Sequence, residues 1–234
     1  MVSGRAPDRA FFAVSALLFA AGAAATILWC GSMAAMGGMR MQGGWTMSMA
    51  WMRMPDETWP GAASSFLAMW VVMMVAMMLP SLVPMLRRYR RAVGQPGAAR
   101  LDLLTALVGL AYFFVWTLFG LAVFPLGVAL AALAMHQPAL ARAVPIAIGL
   151  VVLVAGSLQF TAWKARQLAC CRDLPQHTLP ADAGTAWRHG ISLGLHCSRC
   201  CAGLMAILLA IGVMDLRAMA LVTAAVTVER LAPA

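Results

Sequence analysis

The chain has 234 residues, of which 63% are hydrophobic and only 11% are charged, with a mean hydropathy of +0.85 and a formal net charge of +9. Soluble domains are about half apolar and about a quarter charged, so this composition excludes an ordinary soluble domain and indicates that most of the chain lies in a lipid bilayer. The basic residues fall between apolar segments rather than on one soluble face, which argues against nucleic-acid binding.

Six apolar segments predict membrane helices, since a helix that crosses a bilayer needs about 20 apolar residues. In chain order they are residues 11–29, 64–86, 103–126 with apolar sequence continuing to 134, 143–163, 190–213, and a short, weaker segment at 216–231. The first resembles a signal peptide, but its length also suits an uncleaved anchor, and we expect a retained helix. The sequence therefore predicts an all-α fold, a polytopic transmembrane helical bundle of about six helices that forms a single integral membrane domain over residues 1–234.

The basic residues between these segments predict the orientation. With the N-terminus in the cytoplasm, eleven Lys and Arg side chains fall on the cytoplasmic side and four on the outer side. Because cytoplasmic loops carry the excess of basic residues, we expect a multi-pass protein of the bacterial inner membrane with a cytoplasmic N-terminus. The segment of residues 32–54 then faces outward.

That outer segment is rich in methionine. Its members are Met33, Met36, Met39, Met41, Met47, Met49, Met52 and Met54. Thioethers are neutral, soft ligands that suit Cu(I), and the two groups of four resemble the extracellular methionine motifs of copper importers and periplasmic copper carriers. The alternative is an interfacial helix with methionine as flexible apolar filler. Such filler normally includes Leu, whereas the segment contains no Leu, Ile or Val.

Further methionines follow one face of the second predicted helix. Met69, Met73, Met74, Met77 and Met78 lie within about half a turn of its circumference. Core packing alone explains such a stripe. Beside the other clusters, the stripe predicts a relay between the outer methionines and inner thiols, with Met73 and Met77 as candidate ligands.

The fifth predicted helix contains three thiols and an imidazole. These candidate ligands are Cys197, Cys200, Cys201 and His196. On a helix the thiols fall within about 100° of arc, and the imidazole lies about 40° from the middle one. Thiolate and imidazole bind Cu(I) or Zn(II), although cysteines also pack as small apolar residues. Arg199 falls on the opposite side, where we expect it to neutralise another group such as Glu229.

Two more cysteines, Cys170 and Cys171, follow the fourth predicted helix on its cytoplasmic side. They are candidates for the remaining metal ligands or for a cytoplasmic exit site. The alternative is that they are loop residues without a function.

Several short motifs resemble one bacterial family. The motifs are Ala-Met-Met-Leu-Pro ending at Pro80, Gln159-Phe160-Thr161 with Lys164, Cys171-Arg172, the Cys197–Cys201 motif with Leu204-Met205, Gly212-Val213-Met214, and Glu229. Together they resemble the predicted metal-binding integral membrane proteins, a domain of unknown function numbered 2182, over residues 64–231. The resemblance implies a metal-binding membrane protein.

These patterns predict a protein that binds Cu(I) and captures, transports or delivers it, although zinc accepts the same Cys and His set. No nucleophile elbow, phosphate loop or dinucleotide fingerprint is visible in the sequence, so we do not expect an enzyme. Two alternatives stay open: an accessory subunit of a larger membrane complex, and a membrane thiol–disulfide redox protein with Cys197 and Cys200 as its dithiol. The expected partners are the lipid bilayer and either a larger membrane protein complex or a copper chaperone.

Overall fold

The computed structural model describes residues 5–35, 37–53, 57–94, 97–172 and 179–231. Within them the chain forms an all-α helical bundle, which confirms the predicted fold class. The helices are α1 (Arg5–Ala35), α2 (Trp59–Val93), α3 (Ala98–His136), α4 (Pro138–Leu158), α5 (Ala162–Arg172), α6 (Ala183–Ile211) and α7 (Leu216–Leu231). Between α1 and α2 lie the short strands β1 (Met39–Arg40) and β2 (Thr46–Met47) and a 3-10 turn, Met49–Trp51.

Five of these helices, α1 to α4 and α6, are long and apolar enough to cross a membrane. This is compatible with a multi-pass membrane protein. The first three helices continue past both ends of the apolar segments that predicted them, and α2 carries Arg90 and Arg91 in its last turn. As expected from its weak signal, α7 is short, with 16 residues.

The fourth predicted helix is wrong at its end, because the structure breaks it at residues 159–161 into α4 and α5. The Thr161 hydroxyl accepts a hydrogen bond from the backbone N–H of Lys164 at 3.4 Å, so it caps the start of α5. Before the break, Ala155 of α4 lies close to Gly203 of α6. After it, α5 continues along α6, so that α4 and α5 together form one broken helix beside α6.

Glycines allow α3 and α6 to approach closely. An added Cβ at Gly190 would overlap the carbonyl oxygen of Val108, and one at Gly194 would meet the side chain of Val115 on α3. Small residues let the backbones of membrane helices come together in this way. The buried core lies mainly among α2, α3, α6 and α7.

The methionine-rich segment folds as a small hairpin rather than as the interfacial helix of the alternative interpretation. Met39 of β1 lies opposite Met47 of β2, and Gly43 in the turn has φ of +103°, a conformation that favours glycine. The indole N–H of Trp45 donates to the carbonyl of Ala141 at 2.8 Å. The hairpin is therefore fixed to the start of α4, at the end of the bundle that we call the hairpin end.

Candidate metal centre

The helix that carries the thiols, α6, starts at a defined cap. The carboxylate of Asp182 accepts a hydrogen bond from the backbone N–H of Thr185 at 2.9 Å. This bond is the main reason that the pKa of the Asp182 carboxyl lies below its usual value. A fixed first turn sets the direction in which every later side chain of α6 projects.

Three buried sulfur atoms meet between α6 and α2. Cys197 and Cys201 are one helical turn apart on α6, and their Sγ atoms are separated by 3.7 Å. The Sδ atom of Met78 on α2 lies 4.0 Å from Cys197 Sγ. Both thiols are 1% exposed and Met78 is fully buried. We call Cys197, Cys201 and Met78 the sulfur cluster.

The third cysteine of α6, Cys200, lies beside this cluster. Its side chain is 2% exposed, and its backbone carbonyl accepts a hydrogen bond of 2.7 Å from Nζ of Lys164. The three cysteines predicted to share one region of α6 are therefore together and buried. The bond from Lys164 ties this part of α6 to the broken helix.

A tyrosine of α3 completes the surroundings of the first thiol. The Tyr112 hydroxyl and the Cys197 thiol are hydrogen-bonded at 2.7 Å, and either group is able to donate. Tyr112 is completely buried. Its hydroxyl is therefore positioned to donate to Cys197 whenever that sulfur is a thiolate.

A permanent positive charge lies beside the second thiol. Arg230 of α7 is 7% exposed, and its Nη2 atom is 3.4 Å from Cys201 Sγ. Its Nη1 atom is 3.4 Å from the hydroxyl of Ser81 and 4.0 Å from the sulfur of Met85, both on α2. Because a guanidinium stays protonated in proteins, Arg230 favours the thiolate form of the neighbouring cysteine.

The predicted pairing of Arg199 with Glu229 is wrong. Nζ of Lys164 forms an ion pair of 2.8 Å with Glu229, whereas Arg199 is exposed on the outside of α6. The reason is the break before α5, which brings Lys164 between α6 and α7. The ion pair therefore braces the helices that carry the sulfur cluster and Arg230.

The spacing of the three sulfurs suits a small, soft ion. Metal–thiolate bonds are about 2.3 Å for zinc, and with bonds of that length the ligands of a trigonal site lie about 4 Å apart. The separations of Cys197 Sγ from the sulfurs of Cys201 and Met78, 3.7 and 4.0 Å, are close to this value. Among the described residues no three His, Cys, Asp or Glu side chains converge on one metal position. The third sulfur here belongs to a methionine, and thiolate with thioether is a ligand set that selects Cu(I).

The structure does not bring His196 into the sulfur contacts described above. Its Nδ1 atom lies 2.7 Å from the carbonyl oxygen of Ser192, one turn earlier on α6. The half-buried ring lines a groove on the outside of the helix together with Arg199. Its role as a metal ligand stays a prediction.

The predicted relay methionines, Met73 and Met77, are buried in the core on α2, with exposures of 1% and 2%. The methionine of this stripe that contacts a thiol is Met78. The relay stays a prediction, with Met78 at its inner end.

The described methionines of the outer segment differ in exposure. Met39 is 41% exposed, whereas Met47 is 2% exposed and packs against Ala131 and Ala134 of α3. The half-buried members are Met33, Met41, Met49 and Met52. Met36 and Met54 lie outside the described residues. Several thioethers are therefore accessible at the hairpin end.

The remaining predicted ligands, Cys170 and Cys171, lie in the last turn of α5. Their side chains are outside the described part of the structure. Their predicted role in metal binding or release is therefore untested.

Sequence reasoning missed two groups next to the thiols, Tyr112 and Arg230. Both sit inside segments that were predicted as apolar helices, where ionisable and polar groups usually mark function. If we had looked for polar and ionisable residues in every predicted helix, and not only in the fifth, we would have singled out both residues. Lys164 was placed at a helix end because the break before α5 was not predicted.

The fold and site define a helical bundle with a buried cluster of sulfur atoms. Residues 67–234 match the family model PpoB2, described as a copper chaperone. The match spans well over half of the chain, so the chain belongs to this copper chaperone family. It includes the sulfur cluster and Arg230 but not α1 or the hairpin. No curated protein and no solved structure matches the chain.

The family match confirms that the protein is related to copper. The matched family has a different name from the family that the sequence motifs resemble. The two agree in their relation to metals, and the description of the matched family names copper.

Proposed function

We propose that the chain is a multi-pass protein of the bacterial inner membrane that captures Cu(I), holds it in the sulfur cluster and delivers it to a partner. In this proposal the N-terminus is cytoplasmic and the hairpin end faces outward. The observation that carries the proposal is the meeting of two buried thiols and a thioether at 3.7 and 4.0 Å. Copper is the cargo of the protein rather than a permanent cofactor.

The surroundings of the cluster support a holding site. Cysteine ligands lose their protons when they bind a metal, which places negative charge in an apolar bundle. Arg230 beside Cys201 offsets part of that charge, and the Tyr112 hydroxyl is placed to donate to Cys197. Buried charges need such partners.

The methionines of α2 support a path from the outer segment. This helix begins at the hairpin end, and its buried methionines follow one another towards the cluster, in the order Met69, Met73, Met74, Met77 and Met78. Neutral thioethers hold Cu(I) without proton release, whereas thiolates add charge. We expect an ion to move from the weaker ligands to the stronger ones.

The test is Cu(I) binding by the purified protein, measured in competition with a coloured Cu(I) chelator under reducing, oxygen-free conditions. Replacing both thiols, Cys197→Ser with Cys201→Ser, removes two soft ligands at nearly constant size. Loss of groups that only support metal ligands costs about 10- to 100-fold in affinity, so we expect a loss of at least about 100-fold here.

The matched control is Cys30→Ser. Cys30 is also buried, at 5% exposure, but its Sγ atom lies 3.8 Å from the sulfur of Met214, outside the cluster. This variant should bind Cu(I) as the wild type does. Wild-type affinity in the double variant would remove the thiols from the proposal.

The close thiols also keep the redox alternative open, now with Cys197 and Cys201 as the pair, since their sulfurs are 3.7 Å apart. Mass spectrometry after thiol labelling distinguishes the two functions. A reversible Cys197–Cys201 disulfide in protein that fails to bind Cu(I) after reduction would favour the redox function.

A further inference from the structure

The outside of α6 carries a basic groove that the metal site does not use. The groove has a volume of about 440 Å³, and its basic side chains are Arg188, His196 and Arg199. Trp187 and Leu195 form exposed apolar parts of its lining, with exposures of 38% and 41%. The groove thus combines positive charge with apolar surface.

Arg199 lies near the middle of α6. The helix runs from residue 183 to 211, so Arg199 is 16 residues from its first residue and 12 from its last. At about 1.5 Å per residue these separations are about 24 and 18 Å. The hydrocarbon core of a bilayer is about 30 Å thick. With α6 across a membrane, Arg199 therefore sits close to the centre of that layer.

An arginine at this depth needs a partner. Charged side chains inside membranes pair with other groups or face protein or water, because exposure to lipid is costly. Among the described residues, the carboxylates of Asp102 and Glu229 pair with Arg90 and Lys164, and neither pair involves Arg199. The exposed position of Arg199 on α6 thus points to a group from outside the chain.

We propose that this groove binds a membrane-spanning helix of a partner protein that carries an Asp or Glu near its middle. The inference rests on the membrane placement made under Proposed function. Charge complementarity identifies the partner, since a carboxylate at that depth would pair with Arg199, and His196 of the same groove is only three residues away on α6. The exposed Trp187 and Leu195 give the apolar contact that a helix surface needs.

A second copy of the chain is a poorer occupant. A symmetric contact puts the same surface patch on both sides and would bring one Arg199 towards another. The carboxylate of Glu229 on α7 already forms an ion pair with Lys164, so it is a poor partner for Arg199 of a second copy.

The position of the groove fits delivery of a metal. Arg199 is followed directly on α6 by Cys200 and Cys201, which project towards the core. A partner helix in the groove would therefore lie one helix diameter, about 10 Å, from the sulfur cluster.

The test uses the full chain in phosphatidylcholine vesicles with a synthetic membrane-spanning Leu/Ala peptide that has one central Glu. Energy transfer between labels on the protein and the peptide measures association. We expect the Glu peptide to associate with the wild type, and Arg199→Gln to weaken association by about 5- to 30-fold, the range for one polar contact between membrane helices.

Three controls accompany this test. The same peptide with Gln in place of Glu should associate more weakly with the wild type, and Arg199→Lys should retain most of the association. Arg188→Gln removes the same charge near the start of α6 and should have a smaller effect.

Equal association of the Glu and Gln peptides, or no effect of Arg199→Gln, would overturn the proposal. Self-association of the wild type that is lost in Arg199→Gln would assign the groove to a second copy and overturn it as well. Cu(I) binding should be unchanged in Arg199→Gln. Failure of the groove proposal is thus distinguishable from failure of the sulfur cluster as a copper site.

Discussion

In the proposed copper site, Met78 would be a ligand without charge. It reaches Cys197 from α2, so the cluster joins two helices that are far apart in sequence. A third thiolate in its place would add another buried negative charge. The thioether instead completes a three-sulfur set while leaving the charge at two thiolates, as suits a singly charged soft ion.

We expect Met78→Leu to lower the affinity for Cu(I) by roughly tenfold or more, by analogy with the loss of supporting groups at metal sites. Leucine conserves size and apolarity, so the stability should change by less than about 1.5 kcal/mol. Competition titration and thermal unfolding in detergent measure the two effects.

Met74→Leu is the control for this variant. Met74 is on the same helix and is equally buried, so its replacement should cost similar stability and leave Cu(I) affinity unchanged. Equal losses of affinity in the two variants would show that Met78 acts through packing alone.

For individual residues, the sequence predicts contacts along one helix better than contacts between helices. The nearness of Cys197 and Cys201 follows from their spacing of four residues. Tyr112 and Arg230 come from α3 and α7, and helical periodicity carries no information about which helices pack together. Their place beside the thiols depends on the packing of the whole bundle.

Among the elements, the contact between α3 and α6 sets the position of Tyr112 relative to Cys197. This contact depends on Gly190, where a Cβ would overlap the backbone of α3 at Val108. Backbone atoms cannot move aside as the end of a flexible side chain does. A larger residue must therefore push the two helices apart.

Gly190→Ala should destabilise the protein by about 1–3 kcal/mol, as overpacking does, and should also weaken Cu(I) binding. Gly149→Ala is the control, since Gly149 lies in α4 with no atom within 4 Å of an added Cβ. There alanine should be neutral or stabilising, by up to about 1 kcal/mol. Thermal unfolding would contradict the close-packing argument if Gly190→Ala proved as stable as Gly149→Ala.

The break between α4 and α5 shows what hydropathy does not predict. Residues 143–163 average as one apolar run although Gln159 and Thr161 are polar. An average over a long window therefore does not mark the break. The local signal was Thr161, a good cap for a new helix. Broken helices lie beside binding sites in membrane transporters, and here the break allows Lys164 to reach Cys200.

Across the whole molecule, accessible thioethers and buried thiols lie in different places. The hairpin carries methionines such as Met39 at the surface, whereas the sulfur cluster is enclosed by α2, α3, α6 and α7. If the hairpin is the entry site for copper and the sulfur cluster is the holding site, changes in the two places should alter different properties of binding. Changes in the entry site should alter the rate of Cu(I) loading, and changes in the holding site should alter the final affinity.

Replacing Met33, Met39 and Met41 together by Leu should slow loading of reconstituted protein at limiting Cu(I), while the amount finally held stays nearly the same. Leucine conserves size and apolarity. Time-resolved uptake of Cu(I) is the measurement, with Met219→Leu, a buried change on α7, as the control. Equal rates in the triple variant and the wild type would leave the hairpin as a packing element.

The buried guanidinium of Arg230 has a consequence for the valence of the ion. Two thiolates, one guanidinium and one monovalent ion sum to zero charge, and the Lys164–Glu229 pair adds none. A divalent ion in the same place leaves one positive charge inside an apolar bundle, where uncompensated charge is costly. If the sulfur cluster holds the ion as proposed, the site discriminates by electroneutrality as well as by ligand softness. It then disfavours both Cu(II) and Zn(II), because each carries a second positive charge.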